Sequence, residues 1–155
     1  MKQLTLCLIH QDSKILLGLK KRGFGKGRWN GFGGKLNEEE TIEEAAKREL
    51  KEEAGIHANE IEKKGIIKFE FQSDAEDLEI HIFHVTNFEG EPTESEEMKP
   101  QWFNTEDIPY EEMWADDKHW VPLFLEGKKF KGTFVFDGEK ENNIIKSELI
   151  EVEII

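Results

Sequence analysis

Residues 27–56 read GRWNGFGGKLNEEETIEEAAKRELKEEAGI, a glycine-crowded turn followed by a run in which glutamate keeps returning to one side. Seven of the thirteen glycines (Gly18, Gly23, Gly25, Gly27, Gly31, Gly33 and Gly34) fall between residues 18 and 34. Such crowding marks a shaped loop, where the backbone needs unusual freedom or comes close to a ligand. Thr41 followed by Glu44 is a capping-box pattern, and the Ala-, Glu-, Lys- and Leu-rich run ends at Ala54 before Gly55. The pattern predicts a helix from the Thr41 cap to Ala54.

On that helix Glu49, Glu52 and Glu53 share a sector about 100° wide, because positions three and four apart are neighbours. A solvated face is one reading, supported by the i to i+4 spacing of Glu43 with Lys47 and of Glu44 with Arg48. The other is a site for a hard divalent cation, which takes oxygen ligands and also binds phosphates. Charge spacing alone leaves the two evenly matched.

Outward from this segment, residues 3–10 and 14–20 are apolar-rich runs around Gln11-Asp12-Ser13 and predict a β-hairpin. Beyond the helix, Ile61 to Phe71, Leu78 to Thr86 and a short Gln101 to Phe103 read as strands. Residues from about Asp116 to Glu126 predict a second helix, interrupted early by Pro122, and Lys129 to Phe136 and Ile144 to Ile155 alternate like strands. Strands on both sides of one long helix indicate an α+β or α/β sandwich.

With 155 residues, 37% hydrophobic and 35% charged, the chain suits one globular domain, 1–155, with a real core. Its N-terminus lacks the apolar centre and cleavage site of a signal peptide, so a cytoplasmic location is expected. Cys7 is the only cysteine, which excludes an internal disulfide. The 21 Lys and Arg against 34 Asp and Glu give a net charge of −13, which opposes general binding to nucleic acid. Lys20, Lys21, Arg22, Lys26 and Arg28 form a local basic cluster that suits either a small phosphorylated ligand or a solvated loop.

Gly34, five residues, Glu40, seven residues, Arg48-Glu49-Leu50, one residue, Glu52-Glu53, one residue and Gly55-Ile56 match every defined position of the 23-residue Nudix box. On these residues the chain resembles the Nudix family. The glycine loop fits neither G-x-G-x-x-G nor the P-loop, since Gly34-Lys35 is followed by Leu36. The resemblance implies an α+β fold, an α/β/α sandwich around a mixed central β-sheet. It also implies hydrolysis of nucleoside diphosphates linked to another group, with magnesium, or manganese in its place, as the ion. Glu49, Glu52 and Glu53 are then the implied catalytic carboxylates and metal ligands, joined in the metal set by Gly33 and Glu97, while Arg48 orients the carboxylates through its bidentate fork. Which carboxylate takes the water's proton varies within the family. An exposed acidic loop is the alternative reading of Glu97.

The segments KKRGFGKGRWNGFGGK, KFEF, EEMKPQWF, MWADDKHW and KKFKGTFVF extend the similarity to the branch of the family that hydrolyses oxidised purine nucleoside triphosphates. That likeness implies purine contacts at Asn30, Phe69, Phe71, Met98, Trp114, Asp116, Asp117 and Trp120, and further substrate contacts at Thr5, Lys20 and Phe24. Trp114, Phe69 and Phe71 are suited to be walls, and Asn30, Asp116 and Asp117 to read a polar base edge. Without the likeness, Phe69 and Phe71 read as core and the aspartates as a helix cap. The pattern is broken by Ala115, where a proline is usual, and by His119, where a tyrosine is common. The expected partner is a purine nucleoside triphosphate handled by a monomer without nucleic acid or membrane. A Nudix hydrolase for another nucleotide and a nucleotide sensor without catalysis are the alternatives, the second opposed by the intact box.

Overall fold

The structure, a computed structural model, describes residues 1–138 and 143–155. Strand β1 (Lys2–Gln11) turns through Asp12 into β2 (Lys14–Lys20), and Gln11 pairs with Lys14 as the hairpin reading expects. Asp12 sits at φ 54, a left-handed position that a short polar side chain tolerates. The short strand β3 (Trp29–Asn30) lies on β2 and precedes helix α1 (Ile42–Ala54). Then come β4 (His57–Phe71), β5 (Leu78–Glu89), β6 (Met98–Asn104), a 3-10 turn at Tyr110–Glu112, helix α2 (Asp117–Leu125), β7 (Lys129–Phe136) and β8 (Ile144–Val152).

The strands form one mixed sheet in the order β3-β2-β1-β5-β4-β7-β8, with β6 also antiparallel to β2. β1 pairs parallel with β5, and β4 parallel with β7. Several strands outrun the sequence reading: β5 continues past Thr86 to Glu89, and β6 extends on both sides of Gln101 to Phe103. β4 begins at His57 rather than Ile61 because register shifts near Ala58 and between Lys63 and Gly65 break the period-two alternation. β3 was not anticipated, since two residues carry no periodicity.

Alternation along the strands separates two cores. Cys7, Ile9, Leu16, Phe83 and Val85 face α1, which meets them with Ala46, Leu50 and Ala54. Leu6, Leu8, Ile15, Leu17 and Ile82 face the other way, towards Trp120, Val121 and Phe124 of α2. The result is the expected α/β/α layering. Pro122 lies inside α2, which still runs to Leu125.

Residues 31–35 lie along β1. The Thr5 N–H donates to Gly34 O at 2.9 Å, and Cys7 and Phe32 exchange backbone bonds at 2.6 and 2.9 Å. A side chain at Gly33 would overlap the Thr5 carbonyl, so this approach requires glycine. α1 is anchored at both ends. Thr41 Oγ1 accepts from the Glu44 N–H at 3.1 Å, Glu44 accepts from the Thr41 N–H at 3.3 Å, and Gly55 closes the helix at φ 71. Glu44 therefore serves the cap, while Arg48 turns to other partners.

Because the cap satisfies otherwise orphaned amides, Thr41→Ala is expected to lower stability by about 1 kcal/mol in urea unfolding. An unchanged midpoint would show that packing alone holds α1 in place.

Candidate active site

Arg48 organises the glutamates of α1. Its Nε and Nη2 donate to the two Glu40 oxygens at 2.7 and 3.0 Å, and Nη2 also donates to Lys35 O at 2.9 Å. Nη1 reaches Glu49 at 2.8 Å and Glu52 at 3.2 Å. The bidentate bond from Arg48, reinforced by the Asn37 N–H, holds the Glu40 carboxyl below the usual carboxylate range. The same bond to Glu40 raises the Arg48 pKa further, so its charge is permanent. One guanidinium thus ties the loop before the helix to three glutamates.

Glu53 is the exception. It is only 6% exposed, and its Oε1 accepts from the Gly33 N–H at 2.8 Å. Burial pushes its pKa up to about 8; the Gly33 bond opposes this, and the Glu49 charge adds to it. Gly34 gives Glu49 its room, since a Cβ there would stand 2.8 Å from the Glu49 carboxyl carbon. Glu53 and Glu49 are therefore carboxyl groups crowded together with little solvent, a donor set that suits a hard divalent cation.

The remaining implied ligands are engaged elsewhere. Glu97 accepts from Lys20 Nζ at 2.8 Å and from Arg22 Nε at 2.7 Å, which hold its pKa below the usual range. Lys21 pairs with Glu94, and Arg22 also with Glu96. The first three residues of the basic cluster are thus paired with the acidic segment 94–97, while Lys21, Arg22 and Lys26 stay exposed to solvent. Among the described residues, no group of three His, Cys, Asp or Glu side chains is set to hold a metal. Arg48 and Lys20 take the charge instead.

A cavity of about 280 Å³ begins beside Glu53, Gly33, Thr5 and Lys20. Phe69, Met98, Phe24, Trp114, Asn30, Asp116, Asp117 and Trp120 line it as well. Phe71 does not line the cavity in this structure and packs against Phe69 and Phe136, at ring distances of 6.3 and 5.8 Å. Asn30 Oδ1 accepts from the Gly31 N–H at 2.9 Å, which leaves its NH2 group for a ligand.

The aspartates do not cap α2. Asp116 occupies the cap position in helical conformation without a capping bond, and its Oδ2 accepts from Trp120 Nε1 at 2.8 Å. Asp116 Oδ1 and Asp117 Oδ2 are buried without a hydrogen-bond partner among the described residues. Desolvation raises the Asp116 pKa from 3.8 to about 6, and raises that of Asp117 well above 3.8, with the Asp116 charge adding to the latter. Two carboxyls so placed share a proton near neutrality.

Arg28, read in the sequence only as part of the basic cluster, stands in the cavity with its guanidinium 4.0 Å from the Trp114 ring centroid. Its sequence signal was misleading, since neighbouring charges suggested a phosphate site and nothing marked an aromatic partner. His119, at the departure from the family pattern, stacks on Phe134 at 5.9 Å and does not line the cavity.

Residues 2–124 match the NUDIX domain. The chain belongs to the Nudix family. This Nudix hydrolase is 53% identical over 152 residues to the oxidized purine nucleoside triphosphate hydrolase of Danio rerio, covering 98% of this chain and 96% of that one. It is 51% identical to the Mus musculus protein of the same name, covering 96% and 94%. A solved MutT protein from Bacillus halodurans superposes with a TM-score of 0.83 at 27% identity, covering 96% of this chain and 97% of that one. Nudix hydrolases generally need a divalent metal. No helix among the described residues is long and apolar enough to cross a membrane.

An acid whose folded pKa lies above its unfolded value holds an extra proton in the folded state, so stability falls as pH rises between the two. For the Asp116-Asp117 pair that window opens near pH 4 and extends through at least pH 6. Asp117→Asn, neutral at every pH, is expected to gain stability relative to wild type across it, by up to about 1.4 kcal/mol per pH unit. Urea unfolding at pH 4, 5, 6 and 7 measures the difference. A constant gap would mean that the pair does not hold the proton.

Proposed function

We propose that this Nudix hydrolase cleaves oxidised purine nucleoside triphosphates, 8-oxo-dGTP and 2-hydroxy-dATP among them, to monophosphate and pyrophosphate. Acting with magnesium, and with manganese as a substitute, it clears damaged nucleotides from the cytoplasmic pool as a single-domain monomer. The observation that carries this reading is the buried Asp116-Asp117 pair, two of whose carboxyl oxygens have no partner among the described residues, in the same cavity that Glu53 and Gly33 line. The names of the zebrafish and mouse relatives support it.

A purine edge presents donors and acceptors in a fixed order, and oxidation changes that order at one position. A carboxyl that keeps its proton donates to an oxo group or ring nitrogen, and one that has lost it accepts from an N–H. The pair therefore suits two different oxidised purines through two proton arrangements, while the Asn30 NH2 group supplies a further donor. Phe69, Met98 and Trp114 provide flat or pliable apolar walls. Phosphate contacts carry no information about the base.

Glu49, Glu52 and Glu53 would hold the ion, with Gly33 beside them and Glu97 able to join when it leaves Lys20. A bound divalent cation supplies charge neutralisation along the phosphates and polarises the phosphorus under attack. Arg48, fixed by Glu40, keeps Glu49 and Glu52 oriented. Lys20, released from Glu97, offers an ammonium to the phosphate chain. Glu53 sits where burial makes it a ready proton acceptor, with the Gly33 N–H holding its orientation.

Specificity constants across 8-oxo-dGTP, 2-hydroxy-dATP, dGTP, dATP and dCTP, with product analysis, test this reading. Oxidised purines should lead, the products should be monophosphate and pyrophosphate, and omission of divalent metal should abolish turnover. A leading ordinary nucleotide would indicate a Nudix hydrolase of different substrate, and no turnover at all a sensor. Glu53→Gln should lower turnover of every substrate by at least a hundredfold while the fold persists, and Asp116→Asn or Asp117→Asn should reorder the purines by roughly tenfold. A Glu53→Gln enzyme at full rate would remove Glu53 from the proposed mechanism.

A further inference from the structure

Trp114 lies between the Tyr110–Glu112 turn and α2, in neither of them, so no regular element orients its indole. From the sheet side Phe69 and Phe136 stand at 6.3 and 6.1 Å, their rings inclined to the indole by 55° and 80°. The closer contacts come from the loop 21–28 that joins β2 to β3. Gly25 lies against the indole, where a Cβ would be 3.4 Å from Nε1; the Phe24 ring is 4.9 Å away; and the Arg28 guanidinium is 4.0 Å from the centroid.

That loop has a defined shape. Its ends are joined by Lys20 N–H to Arg28 O at 3.0 Å and Gly27 N–H to Lys20 O at 2.9 Å, and Arg28 N–H donates to Gly25 O at 3.0 Å. Gly23, Gly25 and Gly27 take φ of 77, 85 and 86, which residues with a Cβ rarely adopt. Phe24 is 59% exposed, so its contact with Trp114 is one-sided and gains little from burial. Arg28 is the partner with directional pull: a flat cation over an indole face is attracted by the ring's quadrupole. Lysine, a compact and strongly hydrated charge, reproduces that stacking only in part.

Building on the purine reading of the cavity, we propose that Arg28 is a specificity-determining positioning residue: by stacking its guanidinium on Trp114 it fixes the indole wall against which the oxidised base is selected. Arg28 thus acts on the base through Trp114, and the phosphate end works independently of it. A rival role follows from the same position. Arg28 lines the cavity, so a guanidinium that merely occupied the purine's place would have to swing out before substrate entered. The two roles give opposite effects on KM when the side chain is shortened.

The test is steady-state kinetics of wild type, Arg28→Ala, Arg28→Gln and Arg28→Lys with 8-oxo-dGTP, 2-hydroxy-dATP and dCTP, with melting temperatures to verify folding. Arg28→Ala should raise KM for both oxidised purines by about fivefold to thirtyfold, the range a partly desolvated cation–π contact supports. It should change kcat less than about threefold and leave dCTP nearly unaffected, because only the wall is loosened. Arg28→Gln, planar but uncharged, should resemble Arg28→Ala, and Arg28→Lys should recover part of the loss. Lower KM in Arg28→Ala would establish the plug and overturn the proposal. So would unchanged kinetics, or an equal loss with all three substrates, which would place Arg28 at the phosphates or in general stability. A wild type without preference for oxidised purines would overturn the substrate reading itself, a result visible before any variant is compared.

Discussion

Gly33 has no side chain, and for that reason its backbone can lie against Thr5 while its N–H reaches Glu53. This contact sets three layers at once. It seats residues 31–35 along β1, fixes α1 over the sheet, and holds Glu53 where burial, more than the neighbouring Glu49 charge, pushes its pKa up to about 8. A substituent at Gly33 would drive the loop off the strand, and one at Gly34 would press on Glu49. Gly33 and Glu53 line the cavity, so the proposed chemistry and the proposed base site are both referenced to this junction.

The charge pattern follows. A helix carrying Glu49, Glu52 and Glu53 on one side is tolerable because Arg48 spends a whole guanidinium on Glu40, Glu49 and Glu52. Lys20 and Arg22 do the same for Glu97. These are exchangeable partners at a surface of intermediate exposure, where an ion pair stabilises by little more than about 1 kcal/mol. A phosphate chain carrying a divalent cation offers each group a stronger partner: the carboxylates can turn to the ion, and Lys20 to the phosphates. The aspartate pair is of another kind, since its carboxyls are buried, have raised pKa values and leave two oxygens without a partner among the described residues.

Much of this was legible in the sequence because it depends on local rules. The Thr41–Glu44 cap, the Gly55 stop and the Glu spacing are all contained within one helix. The two-faced sheet could be read from alternation in β1, β2 and β5, but not at the start of β4, where bulges shift the register. Pairing across the chain was less legible. Nothing near Lys20, Lys21 and Arg22 announces that residues 94–97 lie opposite them, since sequence distance hides the antiparallel match of β2 with β6. Phe71 shows the same limit, because its side of the strand was evident while its stacking on the Phe136 ring was not. Arg28 was hidden by its own charge, which suggested phosphate when the structural partner is an indole.

That the glycine and glutamate junction is a divalent-cation site is the claim on which the functional reading turns, and it can be probed without nucleotide or catalysis. Thermal unfolding of wild type and Glu53→Gln across a magnesium titration measures it directly, because an ion bound only by the folded state raises the melting temperature with concentration. The wild type should melt progressively higher as magnesium rises, and Glu53→Gln should respond weakly or not at all. Equal responses in the two proteins, or none in either, would contradict a cation site built on Glu53.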